Sequence, residues 1–357
     1  MTSLEAGSPH TWRIIDANLN RTSEALRVLE DIARFVLNDA TLSQQLKNMR
    51  HALVTADLPF NKQLIEGRDV AGDVGMNTVA AGQEKEKGLP LALVANARRA
   101  QESLRTLEEI TKTQDITPRL DPERFKQARF NLYTIERELL SKLLRKDKVK
   151  QISGLHAIID TEALKGRSHL EVARQIIHGG AKAIQLRDKV TNKKELLSLA
   201  GKLGALCAEH SVLFIINDYL DLALAVNADG LHLGQHDLPI KVARRLLAID
   251  KILGCSTTTV DQALSAQSEG ADYIAVGSIY PTPSKETAVI VGLDRLRQVR
   301  KAVSLPIVAI GGITKDNAAE VISGGADSVA VISAILGAGS PEEASRQIVA
   351  RIESRHE

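Results

Sequence analysis

Leu213-Phe214-Ile215-Ile216-Asn217-Asp218 and Gly230-Leu231-His232-Leu233-Gly234-Gln235-His236-Asp237 decide the fold, because each is a short apolar run that stops at polar residues and is followed by a helical pattern. The same unit recurs on both sides. Strands are expected at 155–159, 183–187, 213–217, 230–233, 251–255, 273–277, 306–310 and 328–332. Helices are expected to begin near His169, Asn192, Tyr219, Pro239, Val260, Gly292, Lys315 and Pro341. Eight βα units in about 205 residues match an α/β (β/α)8 barrel, the TIM barrel, for which about 200–250 residues are typical. A doubly wound open sheet usually has about five or six strands and an early GxGxxG turn, which is absent here.

Upstream the pattern changes. Ala25, Leu29, Ile32 and Val36 recur at helical spacing and almost nothing alternates with period two, so an all-α domain is expected at 1–148 and the barrel at 149–357. The charged stretch Leu144-Arg145-Lys146-Asp147-Lys148-Val149-Lys150 is expected to be the linker. The helical half repeats itself: residues 17–32 superpose on 95–110 with nine of sixteen positions identical, among them Asn18/Asn96, Arg21/Arg99, Arg27/Arg105 and Glu30/Glu108. A looser echo sets Lys47, Arg50 and Leu53 against Lys126, Arg129 and Leu132, one residue out of step. At 100° per residue Leu26, Leu29, Ile32 and Ala33 define the core face, Asn18 points into it and Arg21 sits at its edge. Glu24, Arg27 and Glu30 are expected on a solvated face. Between the copies lies Gly67-Arg68-Asp69-Val70-Ala71-Gly72-Asp73-Val74-Gly75, a loop that suits either phosphate binding or a chain turn.

Composition excludes several classes. The chain has 357 residues, 44% apolar and 25% charged, and its net charge of +2 gives no bulk attraction to nucleic acid. Five Phe, four Tyr and one Trp are too few for a stacking platform. Cys207 and Cys255 form no CxxC or Cys/His pattern and read as buried apolar side chains in a reducing compartment. Residues 1–10 lack the features of a secretory signal and no stretch approaches 18 apolar residues, so a cytoplasmic protein with no membrane partner is expected.

In a (β/α)8 barrel the site is built at the carboxyl ends of the strands. After strand two, Gln185, Arg187 and Lys189 of Gln185-Leu186-Arg187-Asp188-Lys189 fall on one side, and two cations off one strand end suit a diphosphate. Asn217 and Asp218 follow strand three and Asp237 follows strand four; a pair of carboxylates beside such a site suits Mg2+. Asp229 precedes its strand and is expected to be structural, His232 lies inside its strand as a core imidazole, and His236 is a loop residue. Ser256 follows strand five. The loop Tyr280-Pro281-Thr282-Pro283-Ser284-Lys285 is rich in hydroxyls, and Gly311-Gly312 and Val331-Ile332-Ser333 sit where this fold usually holds a phosphate. No Ser/His/Asp triad, HExxH or Cys/His pair is present, so loss of diphosphate by substitution is favoured over hydrolysis.

QLRDK at 185–189, ND at 217–218, GQHD at 234–237, GCS at 254–256, YPTPSK at 280–285, GGI at 311–313 and VIS at 331–333 together resemble thiamine-phosphate synthase. The resemblance implies joining of hydroxymethylpyrimidine diphosphate to a thiazole phosphate or its carboxylated form, with diphosphate released. It implies that Gln185, Arg187, Lys189, Asn217, Ser256 and Lys285 hold the pyrimidine diphosphate, with Leu186 and Asp188 of the same motif beside them. Asp218 and Asp237 would ligate Mg2+. Thr282, Pro283, Ser284, Gly312, Ile332 and Ser333 would hold the thiazole phosphate, and Arg187, Ser256 and Lys285 would act directly in catalysis. Two positions depart from the pattern: Ser284 replaces a common threonine, and Thr258 replaces a common histidine. A thiazole tautomerase and a thiamine phosphate sensor are the rival readings of the barrel. The first half is similar to an amino-terminal domain proposed to be a hydroxymethylpyrimidine-phosphate kinase; docking, homo-oligomer formation and thiamine sensing stay open for it.

Overall fold

The structure, a computed structural model, describes residues 9–53, 58–68, 88–112, 120–282 and 289–354. The chain forms two compact units, 1–144 and 145–357.

The first unit is helical: α1 (Pro9–Asp31, prolonged by a π turn over Ile32–Val36), α2 (Ala40–Leu53), α3 (Leu58–Glu66), α4 (Leu89–Ile110) and α5 (Pro122–Gln151). The two copies of the repeat are α1 and α4. Leu26, Leu29, Ala97, Leu104 and Leu107 are almost wholly buried in a shared core. The paired asparagines play one role twice: Asn18 and Asn96 each donate Nδ2 to the carbonyl four residues back, at 2.8 Å. Arg21 and Arg99 are exposed.

Glu30 departs from its expected place on a solvated face: it is buried, as is its copy Glu108. Each holds an arginine from the helix that follows, Arg50 at 3.2 Å and Arg129 at 2.8 Å. These are the arginines of the looser echo. That echo is therefore the other half of a duplicated buried ion pair, which must be kept or lost as a unit because an unpaired buried charge is costly. Burial raises the Glu108 carboxyl, but hydrogen bonds from Arg129, Lys112 and Arg105 outweigh it and hold the group at about 2.

The stretch expected to be a linker is helical, the last turns of α5. Arg145 is buried and bonds Asp272 at 2.8 Å, while Lys148 reaches Asp229 at 3.1 Å and Asp250 at 3.4 Å. Arg145 and Lys148 thus belong with the barrel. Asp229 lies at the amino-terminal end of its strand and also accepts from Phe214 N–H, a structural role.

The second unit is a closed parallel barrel of eight strands in sequential order. They are β1 (Gly154–Asp160), β2 (Ala183–Arg187), β3 (Leu213–Asn217), β4 (Gly230–Leu233), β5 (Ile252–Thr257), β6 (Tyr273–Val276), β7 (Ile307–Ile310) and β8 (Ser328–Val331). Around them lie α6 (His169–His178), α7 (Lys193–Glu209), α8 (Leu220–Ala225), α9 (Ile240–Leu246), α10 (Val260–Glu269), α11 (Gly292–Ala302), α12 (Ala318–Ser323), α13 (Ser333–Leu336) and α14 (Pro341–Glu353). Alternation sorts each strand: Ile184, Leu186, Phe214, Ile216, Leu231 and Leu233 pack outward against helices, while Ile158, Ala183, Leu213, Ile215, Tyr273 and Val308 fill the interior. Among the described residues no helix is long and apolar enough to cross a membrane.

Candidate active site

Following the inward parity to the carboxyl end of each strand gives the residues at the mouth: Asp160, Arg187, Asn217, Ser256, Ile310 and Ile332. Arg187 is half-buried, and its guanidinium donates to Asp160. Asp160 is missing from the sequence reading because β1 runs one residue beyond the expected strand. That single residue moves it from the following loop to a strand end, the very place where polar residues count most.

Asp218 follows β3 in the left-handed region (φ 63°), a conformation that few non-glycine residues adopt, and its N–H is bound to His232 O at 2.8 Å. Its carboxylate lies 3.3 Å from Lys189 Nζ. Burial pushes the Asp218 carboxyl up, the neighbouring Asp237 pushes it further, and Lys189 pulls it back. Asp237 is exposed and accepts from Gly234 N–H at 2.7 Å, which folds its loop back on itself. Gln235 ties that loop to β5 by donating to Ser256 O at 2.8 Å. Two adjoining carboxylates, one raised by the other, form a hard-oxygen set that fits a divalent cation.

The same parity places two residues of the motif away from the mouth by their side chains. Leu186 is buried among the apolar residues outside the barrel. Asp188 is buried too; its oxygens accept from Thr161 Oγ1 at 2.6 Å, Val190 N–H at 2.9 Å and Thr191 N–H at 2.8 Å. Its carboxylate shapes the loop after β2. Gln185 faces inward but is buried a layer below Arg187, with its Nε2 3.2 Å from His156 Nε2.

The opposite side of the mouth is built from backbone. The segment after β6 runs along the end of β7, with Ile279 N–H on Ile310 O at 2.9 Å and Tyr280 N–H on Gly311 O at 3.0 Å. A side chain at Gly311 would overlap Ser278 Oγ, and one at Gly312 would overlap the Pro281 carbonyl, so this close approach requires glycine at both positions. Thr282 is half-buried; Pro283, Ser284 and Lys285 lie outside the described residues. After β8 the chain forms α13, with Ile332 half-buried and Ser333 exposed at its start. At four residues α13 is too short to show a period in sequence.

Below the mouth lies a polar layer. His232 is buried, with Nδ1 2.9 Å from Tyr273 Oη and Nε2 2.8 Å from Ser256 Oγ. Burial lowers the His232 imidazole to about 4, and burial together with His232 lowers His156 to about 3, so both are neutral near pH 7. Burial raises the thiols of Cys207 to about 12 and Cys255 to about 11, which leaves them unreactive. Thr258 is turned to helix capping: its N–H and Oγ1 meet Gln262 Oε1 at 2.8 and 3.0 Å.

Comparison with known proteins agrees with this geometry. The family described as Thiamine monophosphate synthase matches residues 155–335, and the ThiD2 family matches 13–138. The "Thiamine-phosphate synthase" of Thermosynechococcus vestitus is 38% identical over 341 residues, 95% of this chain and 94% of that protein. That of Synechocystis sp. is 39% identical over 342 residues, 95% of this chain and 96% of that protein. The solved thiamine phosphate pyrophosphorylase from Pyrococcus furiosus is 39% identical, with a TM-score of 0.54, and covers 58% of this chain and 98% of its own. With a family match over the barrel and relatives alike over nearly the whole length, this chain belongs to the thiamine-phosphate synthase family.

Proposed function

We infer that this transferase joins hydroxymethylpyrimidine diphosphate to a thiazole phosphate, giving thiamine phosphate and diphosphate. The observation that carries this reading is the convergence of Arg187, Asn217, Ser256, Asp218 and Asp237 on adjoining strand ends in a chain of that family. Arg187 and Lys189 neutralise and orient the departing diphosphate, and Asn217 and Ser256 add hydrogen bonds. Lys285 would join them from the loop after β6. The C–O bond at the pyrimidine methylene breaks with its electron pair leaving on diphosphate, and the thiazole nitrogen supplies the pair for the new C–N bond. Such a step needs no strong general base, in keeping with a barrel interior whose two imidazoles are neutral. Asp218 and Asp237 would hold Mg2+, which supplies further neutralisation of the diphosphate. Gly311, Gly312, Thr282, Ile332 and Ser333 frame the side we assign to the thiazole phosphate. Diphosphate release from the two substrates, with and without Mg2+, tests the reading; a well-folded chain that releases none refutes it.

For the helical unit we propose phosphorylation of hydroxymethylpyrimidine phosphate by a nucleoside triphosphate, which would supply the barrel's substrate. What supports this is the ThiD2 match and a polar group found in one copy of the repeat only. Asp16 accepts both Nε and Nη2 of Arg68 at 2.7 and 3.0 Å, and Asn20 at 3.2 Å; the corresponding positions of the second copy are Val94 and Arg98. The loop that continues from Arg68, at 69–75, lies outside the described residues. Nucleoside diphosphate formation that depends on hydroxymethylpyrimidine phosphate and falls in Asp16→Ala tests it.

A further inference from the structure

We propose that Tyr273 and His232 are positioning residues that fix Ser256 as a hydrogen-bond donor toward the pyrimidine diphosphate; the identity of that acceptor rests on the synthase reading above.

The three side chains lie in one stack of the barrel interior. His232 on β4 is the register partner of Gly254 on β5, and Gly254 is the register partner of Tyr273 on β6. The middle position carries no side chain because the phenol occupies its space: a Cβ on Gly254 would overlap Tyr273 Cζ. Phenol and imidazole therefore meet across the glycine, stacked at 27° with centroids 5.5 Å apart, and Tyr273 Oη lies 2.9 Å from His232 Nδ1. Two residues beyond Gly254, and so on the same side of β5, Ser256 Oγ lies 2.8 Å from His232 Nε2.

Counting protons gives the direction of the chain. Tyr273 is wholly buried, and His232 Nδ1 is the hydrogen-bond acceptor within reach of its hydroxyl among the described residues. Leaving a buried O–H unpaired is costly, so the phenol donates and Nδ1 accepts. The partners of His232 are two hydroxyls and no carboxylate, so nothing bonded to the ring favours a second ring proton. The single ring proton then sits on Nε2 and is donated to Ser256 Oγ. With that oxygen already accepting, the serine's own hydrogen is left for the half-buried mouth. It therefore faces an acceptor, as a diphosphate oxygen is.

The tautomer decides the proposal without any assay. In the wild-type chain labelled with 15N-histidine, and with His232 among the nine histidines assigned by its loss in His232→Gln, Nε2 is expected to carry the proton and Nδ1 to be bare. A proton on Nδ1 overturns the inference. Kinetics supplies the second test. Tyr273→Phe keeps the ring and is expected to lower kcat roughly tenfold, the worth of about one hydrogen bond. In a Ser256→Ala background the same change is expected to have almost no further effect, because the relay then has nothing to orient. Multiplicative losses in the double variant would reduce the layer to ordinary packing. If the wild-type chain releases no diphosphate, the synthase reading fails while the tautomer measurement still judges the relay.

Discussion

Both units bury polar side chains, and they do so to opposite ends. In the barrel the inward polar residues climb toward an opening: His156 and His232 lie below, Asp160 is buried beneath Arg187, and Arg187, Asn217 and Ser256 stand half-buried at the rim. In the helical unit the buried charges are closed on each other, Glu30 on Arg50 and Glu108 on Arg129. The difference teaches how to read a duplicated domain. What the two copies share is architecture; what one copy holds alone, Asp16 with Arg68 and Asn20, is where chemistry is to be sought.

The sharpest way to break this contrast is to remove one arginine from each unit. Arg187→Ala is expected to lower diphosphate release by about 10²–10³-fold, the usual scale for losing a preorganised charge donor, and, because it strips the buried Asp160 of its cation, to cost stability as well. Arg129→Ala is expected to destabilise the helical unit by about 3 kcal/mol while the barrel's turnover is kept. Calorimetry beside the diphosphate assay reads both, and equal effects of the two variants on turnover would undo the division of roles.

The buried pairs also carry a pH signature. Glu108 is held at about 2, below its ordinary value of 4.5, so its contribution to stability is fully present above about pH 4.5 and is lost as pH falls toward 2. Glu108→Gln should remove roughly 2–3 kcal/mol at pH 7 and less at pH 3, followed as the melting temperature of the helical unit. Stability that fell equally at both pH values would mean that packing, not the ion pairs, is being lost.

A smaller effect tests where the barrel begins. A chain starting at residue 152 drops Arg145 and Lys148, leaving Asp272 with Arg244 at 2.8 Å and Asp250 with Lys251 at 3.5 Å. It is expected to be less stable than a chain starting at 143 by about 2 kcal/mol, with both releasing diphosphate. If neither does, the two units share the reaction and the contrast collapses.

Most of the barrel was legible because alternation and strand ends follow from one repeated pattern. The parity that selects Gln185, Arg187 and Lys189 also divides their motif, turning the side chains of Leu186 and Asp188 away from the barrel interior. Asp160 was hidden by a one-residue error in a strand end. The relay of Tyr273, His232 and Ser256 was illegible for a deeper reason: period two tells which way a side chain points, and it does not tell what it meets across a barrel. Glu30 lies four residues after Leu26, close to the core face, and the echoing arginines pointed to its partner; only the pairing of the two signals was missing.

The smallest expected effect concerns Thr258, which the resemblance sets against a histidine. If that histidine took part in catalysis, restoring it should raise turnover. The structure gives Thr258 other work: its N–H and Oγ1 converge on Gln262 Oε1 just before α10, and Thr259 completes a capping box with the same glutamine. A histidine at 258 keeps the N–H and loses the hydroxyl, a change on the scale of one weak cap contact, about 0.5–1 kcal/mol. Position 258 lies two residues beyond Ser256 and so on the same side of β5, but its side chain is turned away to Gln262 at the start of α10. Thr258→His is therefore expected to leave kcat within about threefold and to lower the melting temperature slightly. A gain in turnover well beyond that would make the histidine a participant in catalysis and would move position 258 from capping to chemistry.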